Sequence, residues 1–332
     1  MKPPRSVLFG LIAVLAAVTA GCAPGAGGAA AGDKVTLLLN WYPYGEHAPF
    51  YYGKQQGVFA KYGIDLTIQP GQGSGRTVQA TAAGQADFGW ADTPALLSAV
   101  DQGMHVVSTG VYLQTTPASV QFFGDKGIRT PADLKGRTVA STAGDALSRT
   151  FPIWLKANGL SPDDVQLQNT DAAGKIAAVI SGRTDALLGN ATDQGPTVQE
   201  KAGRPVTAMR FADHGLNFFS DGLITATGNL TAKKDLVSRM AEATSQAWQQ
   251  AAKDPDAAVA AMRGASAQLP SAAVLAQQFA ATLTLLHTAA TKDLPPGVDD
   301  ESDWRATISV LATAGLIKVA RAPSAYWDGG RP

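Results

Sequence analysis

The 332-residue chain carries 27 basic against 27 acidic residues, a 45% hydrophobic and 16% charged composition, and 35 Gly with 19 Pro. At roughly 150 residues per domain this length suits about two domains, and the apolar share excludes intrinsic disorder for most of the chain. The balanced charge excludes a nucleic-acid surface, and the single cysteine, Cys22, excludes an internal disulfide framework or a multi-cysteine metal site.

The first element in chain order is a leader. Lys2 and Arg5 precede an apolar run from Val7 to Val18, and no acidic residue occurs before Asp33. That run is too short to span a membrane as a mature helix and has the length of a signal-peptide core. "TAGC" at Thr19 to Cys22 is similar to a bacterial lipobox, which predicts a signal peptide over 1–21, lipidation at Cys22, and anchorage to the extracytoplasmic face of the cell membrane. The Ala, Gly and Pro residues that follow read as a flexible tether over 22–33. The alternative is a plain secretory signal with an incidental cysteine.

From Asp33 strand-like and helix-like segments alternate, the pattern of an α/β fold with largely parallel sheets. Strands are expected at 34–40, 64–70, 86–92 and 106–113, with helices over 47–63 and 76–85 between them. Helix starts are expected at Thr93, Thr130 and Ser161, each a capping side chain ahead of a proline. A second set of strands follows in "SVQFFG" (119–124), "RTVASTAG" (137–144), "VQLQN" (165–169), "TDALLGN" (184–190) and "PVTAMRF" (205–211), before "GLITATGN" (222–229) returns to the first set. Ala-rich helices close the chain over 232–253, 270–288 and 301–314, the first burying a stripe of Leu236, Met240, Ala243 and Ala247. The expected division is lobe one at 34–117 plus 223–332 and lobe two at 118–222.

Ligands of open α/β sheets bind beyond the carboxyl ends of strands, so candidate residues are sought there. Asn40, Trp41, Tyr42, Tyr44, Glu46 and His47 follow the first strand; aromatic faces can stack on a ring while Asn and His give directional hydrogen bonds. "GQGSGRTV" (71–78) offers backbone N–H groups and Ser74 ahead of a helix, though it is neither a Walker loop nor a full dinucleotide fingerprint. Trp90, Asp92 and Thr93 close another strand; Ser141 and Thr142, Asn190 and Asp193, and Asp221 occupy the matching loops of the second set and of the return crossing. No Gly-x-Ser-x-Gly elbow is present, and His47, His105, His214 and His287 stand in no metal-ligand spacing. The chain therefore reads as a binding protein with no catalytic residue, no metal and no cofactor.

Several segments together resemble one family: "NW" at 40–41, "EHAPFYYGKQQGVFAKYGIDL" at 46–66, the "GSG" loop, "GQADFGWAD" at 84–92 and "DLKGRTVAS" at 133–141. These are similar to the solute-binding lipoproteins of ABC importers that include thiamine-pyrimidine precursor, sulfonate and riboflavin binders, the NMT1/THI5-like and SsuA-like proteins. The resemblance implies a two-lobed periplasmic-binding-protein fold of type II-like form. Each lobe would be a mostly parallel sheet flanked by helices, with a C-terminal helical extension on lobe one. It implies a small heteroaromatic ligand, most directly a thiamine-pyrimidine precursor, an ABC permease as partner, a lipid anchor, and a monomer. Asn40, Trp41 and His47 resemble the branch that binds hydroxymethyl or formylamino pyrimidines, with the tryptophan stacked on the ring. The second-lobe acidic clamp of that branch has only Asn190 and Asp193 near it here. An alkyl sulfonate or riboflavin-like ligand stays open. So do a pyrimidine-synthase-like enzyme using pyridoxal phosphate, with His47 and Lys54 as its candidates, and a lipoprotein sensor or adhesin. On the favoured reading, His47 and Trp41 act in ligand binding alone.

Overall fold

The computed structural model describes residues 32–142 and 146–329. The expected signal peptide, Cys22, the tether as far as residue 31, and Gly144 lie outside them. Chain order begins β1 (Asp33–Leu38), α1 (Ala48–Gln55), α2 (Val58–Lys61), β2 (Ile64–Gln69), α3 (Ser74–Ala82), β3 (Phe88–Asp92), α4 (Thr93–Asp101) and β4 (Val106–Val111). It continues through β5 (Ala118–Phe123), β6 (Thr138–Ser141), α5 (Ala146–Ala157), β7 (Gln166–Asn169), α6 (Ala172–Ile180), β8 (Ala186–Asn190), α7 (Gln194–Ala202) and β9 (Val206–Arg210). It ends with β10 (Asp221–Ala226), α8 (Asn229–Ala232), α9 (Lys234–Lys253), α10 (Pro255–Ala260), α11 (Ala272–Leu283) and α12 (Glu301–Thr313).

These strands form two five-stranded sheets, each the base of one lobe. Lobe one has the order β2-β1-β3-β10-β4, with β1 parallel to β2 and β3, and β10 antiparallel to β3 and β4. Lobe two has the order β7-β6-β8-β5-β9, with β6 parallel to β7 and β8, and β5 antiparallel to β8 and β9. Each sheet thus has one reversed strand in its fourth position. Because β10 enters lobe one only after lobe two is complete, the chain crosses out over 112–117 and back over 211–220. The two crossings hold each other: Tyr112 and Leu113 donate their N–H groups to the Asp221 carbonyl at 3.0 Å, and Ser220 donates to the Leu113 carbonyl at 2.8 Å.

Helices cover the sheets because their apolar stripes have nowhere else to go. Met240, Ala243 and Ala247 of α9 are fully buried while Leu236 is half-buried, and α9 lies along α1. At their meeting point Trp90 stacks on Trp248 with ring centroids 5.5 Å apart, and Phe50 meets Trp90 edge-on at 5.0 Å. Among the described residues no helix is long and apolar enough to cross a membrane.

Several local expectations are corrected. The helix read over 47–63 is two helices, broken at Gly57, whose φ of 69° is left-handed. Thr93 does not cap its helix; Asp92 does, accepting the Ala95 N–H at 2.7 Å, while the Thr93 hydroxyl donates to the Ser220 carbonyl at 2.8 Å. Thr130 and Ser161 do open turns as capping boxes, but these are single 3-10 turns and not helices. The helix read over 270–288 stops at Leu283, since the Leu285 carbonyl is needed to accept the N–H groups of Gln114 and Thr115 in the outward crossing.

Candidate functional site

β1 ends at Leu38, and the next residues divide between two environments. Asn40 turns inward: its amide donates to Asp221 Oδ1 at 2.8 Å, and its carbonyl oxygen lies 2.8 Å from His47 Nε2. His47 Nδ1 accepts the Tyr44 N–H at 3.3 Å, so Nε2 carries the proton and donates to Asn40. Burial pushes the His47 imidazole down to about 3, which keeps it neutral. Asp221, the first residue of β10, also accepts the Ser220 hydroxyl at 3.1 Å; burial and the neighbouring Glu46 and Asp92 hold its carboxyl well above the usual range. Beside this chain Glu46 is fully buried, with Trp90 Nε1 donating to one oxygen and the Tyr44 hydroxyl to the other, both at 2.7 Å. Burial pushes Glu46 up to about 7 in spite of those bonds.

One side chain links this interior to lobe two. Gln278 of α11 accepts the Gly45 N–H at 2.9 Å and donates to the Asp193 carbonyl at 3.2 Å. α11 approaches so closely that a Cβ on Gly45 would stand 2.4 Å from the Leu275 carbonyl oxygen, so only glycine fits there. Asp193 accepts the Gln194 amide at 2.6 Å, and desolvation raises its carboxyl to about 6.

The open space lies on the other side. A cavity of about 610 Å³ is walled by Trp41, Ser74, Arg76 and Asp92 of lobe one and by Thr142 and Arg149 of lobe two. A smaller chamber of about 90 Å³ sits at the crossings, between Asp92, Thr116, Asn190, Phe218 and Ser220. Asp92 lines both. The Gly71–Gly73 loop is pinned under the larger cavity by N–H bonds from Gly71 to the Trp41 carbonyl and from Gly73 to the Asn40 carbonyl. Gly71 is sterically required, for a Cβ would fall 1.7 Å from the Leu39 carbonyl oxygen.

The expected site residues therefore separate. Trp41, Ser74, Asp92 and Thr142 line the larger cavity and Asn190 the smaller. Asn40, His47 and Asp221 are buried and hydrogen-bonded to one another, and Asp193 joins the lobes through Gln278. Trp90 is a correction: it offers no face to a cleft, being fully buried against Trp248, Phe50 and Tyr112 with its N–H committed to Glu46. Thr93 is likewise buried and bonded to Ser220. Ser141 is fully buried, and its hydroxyl has no partner among the described residues. Among those residues no three His, Cys, Asp or Glu side chains gather as a metal site. Sequence reasoning missed Gln278 and Arg149. The readable signal for Gln278 is a glutamine inside the buried stripe Val274, Leu275, Phe279 and Thr282 of α11.

The NMT1/THI5-like family model matches residues 45–258. The chain is 23% identical over 281 residues to the formylaminopyrimidine-binding protein of Halalkalibacterium halodurans, with 84% of each chain covered. It is 26% identical over 179 residues to the 4-amino-5-hydroxymethyl-2-methylpyrimidine phosphate synthase THI5 of Saccharomyces cerevisiae, covering 53% of this chain and 52% of that one. Among solved structures, the periplasmic aliphatic sulphonate binding protein SsuA from Escherichia coli matches with a TM-score of 0.69 at 15% identity, over 89% of this chain and 91% of that chain. At that identity the likeness shows the fold, the two-lobed periplasmic-binding-protein architecture.

Proposed function

The chain belongs to the NMT1/THI5-like family, and from that premise we propose that it is the extracytoplasmic, lipid-anchored solute-binding component of an ABC import system. It closes two lobes on a small heteroaromatic ligand, a thiamine-pyrimidine precursor. The observation that carries this reading is the 610 Å³ cavity at the carboxyl ends of the strands, walled by both lobes, a size suited to a small molecule. Trp41 supplies the stacking face, Ser74 and Thr142 supply hydroxyls, and Asp92 with Asn190 reads the polar edge of the ring. The relative named as a formylaminopyrimidine-binding protein supports the ligand class.

A ligand that contacts both walls binds the closed form better than the open one and shifts the population toward it, with 112–117 and 211–220 as the hinge segments. The closed shape is what a permease would recognise, and the Cys22 lipid would keep the protein beside it. A synthase role is disfavoured by His47, whose two ring nitrogens are both engaged within the protein, and by Lys54, which is exposed on α1. Calorimetry with formylaminopyrimidine, 4-amino-5-hydroxymethyl-2-methylpyrimidine, riboflavin and alkanesulfonates tests the reading. Saturable binding of a pyrimidine without turnover is expected. Failure of every pyrimidine to bind overturns the ligand class, and turnover overturns the non-enzymatic role.

A further inference from the structure

Each lobe gives one helix to a contact that lies outside both cavities. α7 of lobe two buries Val198 in its own lobe's apolar cluster, and α11 of lobe one buries Leu275 and Phe279 in its own. Another face of each helix is turned toward the other. Fully buried Gln278 donates to the Asp193 carbonyl at 3.2 Å and to Asp193 Oδ1 at 3.4 Å, and Ser271, the N-cap of α11, donates its hydroxyl to the Glu200 carboxylate. Asp193 and Glu200 are seven residues apart along α7, and Ser271 and Gln278 are seven apart along α11. Seven residues make about two turns, so both pairs fall on one face of each helix, and their crossed order makes the helices antiparallel. Val274 sits between Ser271 and Gln278 on that face and is 2% exposed, yet it stands apart from the cluster that takes Leu275 and Phe279. Thr197 holds the matching place on α7, half-buried, with its hydroxyl donating to the Asp193 carbonyl at 3.1 Å. The two loops joined here carry cavity residues, since Gly45 follows Trp41 and Asp193 follows Asn190, while Gln278, Ser271 and Glu200 line neither cavity.

We infer that the α7–α11 contact is a closure latch with Gln278 as its positioning residue: contact between the lobes at this face supplies part of the free energy that brings them together, before any ligand arrives. The inference rests on the two-lobed binding reading above and concerns the empty protein. A ligand's apparent Kd is its intrinsic Kd divided by the fraction of protein already closed, so the latch tightens every ligand by one common factor whatever its chemistry. Contacts inside the cavity differ from ligand to ligand.

The test is small-angle scattering of the ligand-free, purified full-length chain, paired with calorimetry. Gln278→Glu keeps the oxygen that accepts the Gly45 N–H and removes the donor to Asp193. Thr197→Arg places a long side chain in the contact and leaves Val198 and the lobe-two cluster untouched. Each variant should keep the parent's circular dichroism and show a larger radius of gyration than the parent without ligand. In calorimetry with 4-amino-5-hydroxymethyl-2-methylpyrimidine, riboflavin and an alkanesulfonate, Gln278→Glu should weaken every probe that binds the parent by the same factor, about tenfold. Glu200→Ala removes only an exposed hydrogen bond and should weaken them about twofold. A radius unchanged in both Gln278→Glu and Thr197→Arg overturns the latch. So does a Gln278→Glu loss that falls on one bound probe and spares another, which would make Gln278 a ligand contact. If no probe binds the parent and both variants still expand, the latch stands and the ligand class falls.

Discussion

Two regions meet at the end of β1, and they do opposite work with adjacent residues. Asn40 joins the dry interior with His47, Glu46, Trp90 and Asp221, where every polar group named is hydrogen-bonded to protein. Trp41, one residue on, lines the open cavity with Ser74, Arg76 and Arg149. The difference teaches that proximity to a strand end does not by itself make a ligand contact; a polar residue there can equally be spent on holding the loops that make the cavity. Perturbing the interior should change stability, and perturbing the cavity should change affinity.

The largest effect should come from Trp90→Ala. It removes a fully buried indole from a stack with Trp248 and strips Glu46 of a donor. A loss of about 3 to 5 kcal/mol of unfolding free energy is expected in urea denaturation. His47→Ala should follow at about 1 to 3 kcal/mol, since it leaves the Asn40 carbonyl and the Tyr44 N–H without partners. This differs from the sequence expectation for His47, which assigned it to binding alone. A melting temperature unchanged in either variant would remove the distinction between the regions.

The interior should also set the pH dependence. A buried acid that keeps its proton when folded and sheds it when unfolded lowers stability as pH rises between its two pKa values. Glu46 at about 7, Asp193 at about 6 and Asp299, a buried residue just before α12 that accepts the Val111 N–H and the Trp304 indole N–H, at about 8 each act this way above their ordinary values, all through burial. His47 has the opposite sign: the unfolded chain takes up a proton below its ordinary 6.5 while folded His47 resists to about 3, so it costs stability as pH falls through that range. These three acids, together with Asp221, whose carboxyl is likewise held well above the usual range, outweigh one histidine above about pH 4.5, so stability should peak near pH 4 to 5 and decline toward pH 8. Urea midpoints that climb steadily to pH 8 would contradict the protonated interior.

A cavity-side change should move affinity instead. Trp41 is half-buried, its ring 5.1 Å from Tyr42, and it is not a member of the buried core. Trp41→Ala should weaken an aromatic ligand about tenfold or more while the empty protein melts within a few degrees of the parent. Equal affinity for an aromatic ligand in calorimetry would remove Trp41 from the site.

The fold was legible because the inner parallel strands are short apolar runs closed by small or capping residues, as in Ala186–Asn190 and Phe88–Asp92. Sequence position also led to Ser74, Asp92, Thr142 and Asn190, in the segments that follow strands, and these residues do line the two cavities. Trp90 was misjudged because a sequence shows a tryptophan near a strand end without showing that Phe50, Tyr112 and Trp248 will close around it. Gln278 was hidden because its partners Gly45 and Asp193 are far away in sequence and on different lobes. Local pattern reports what a strand buries; it does not report which distant helix will arrive to accept a hydrogen bond.

Asp92 lies on the boundary between the two regions, and there the smallest change in stability should be the most informative. Its Oδ1 caps α4 through the Ala95 N–H, and its side chain borders both cavities. Asparagine caps helices about as well as aspartate, so Asp92→Asn should keep unfolding free energy within about 0.5 kcal/mol. Its amide oxygen can still accept one hydrogen bond but carries no charge, so a ligand presenting an amino group to this wall should lose only about 1 kcal/mol of binding. Asp92→Ala removes the cap too and should cost about 1 kcal/mol of stability in addition. If Asp92→Asn matches Asp92→Ala in stability, the carboxylate's charge and not its capping geometry holds this edge. The border between scaffold and cavity would then run through Asp92 in the opposite sense.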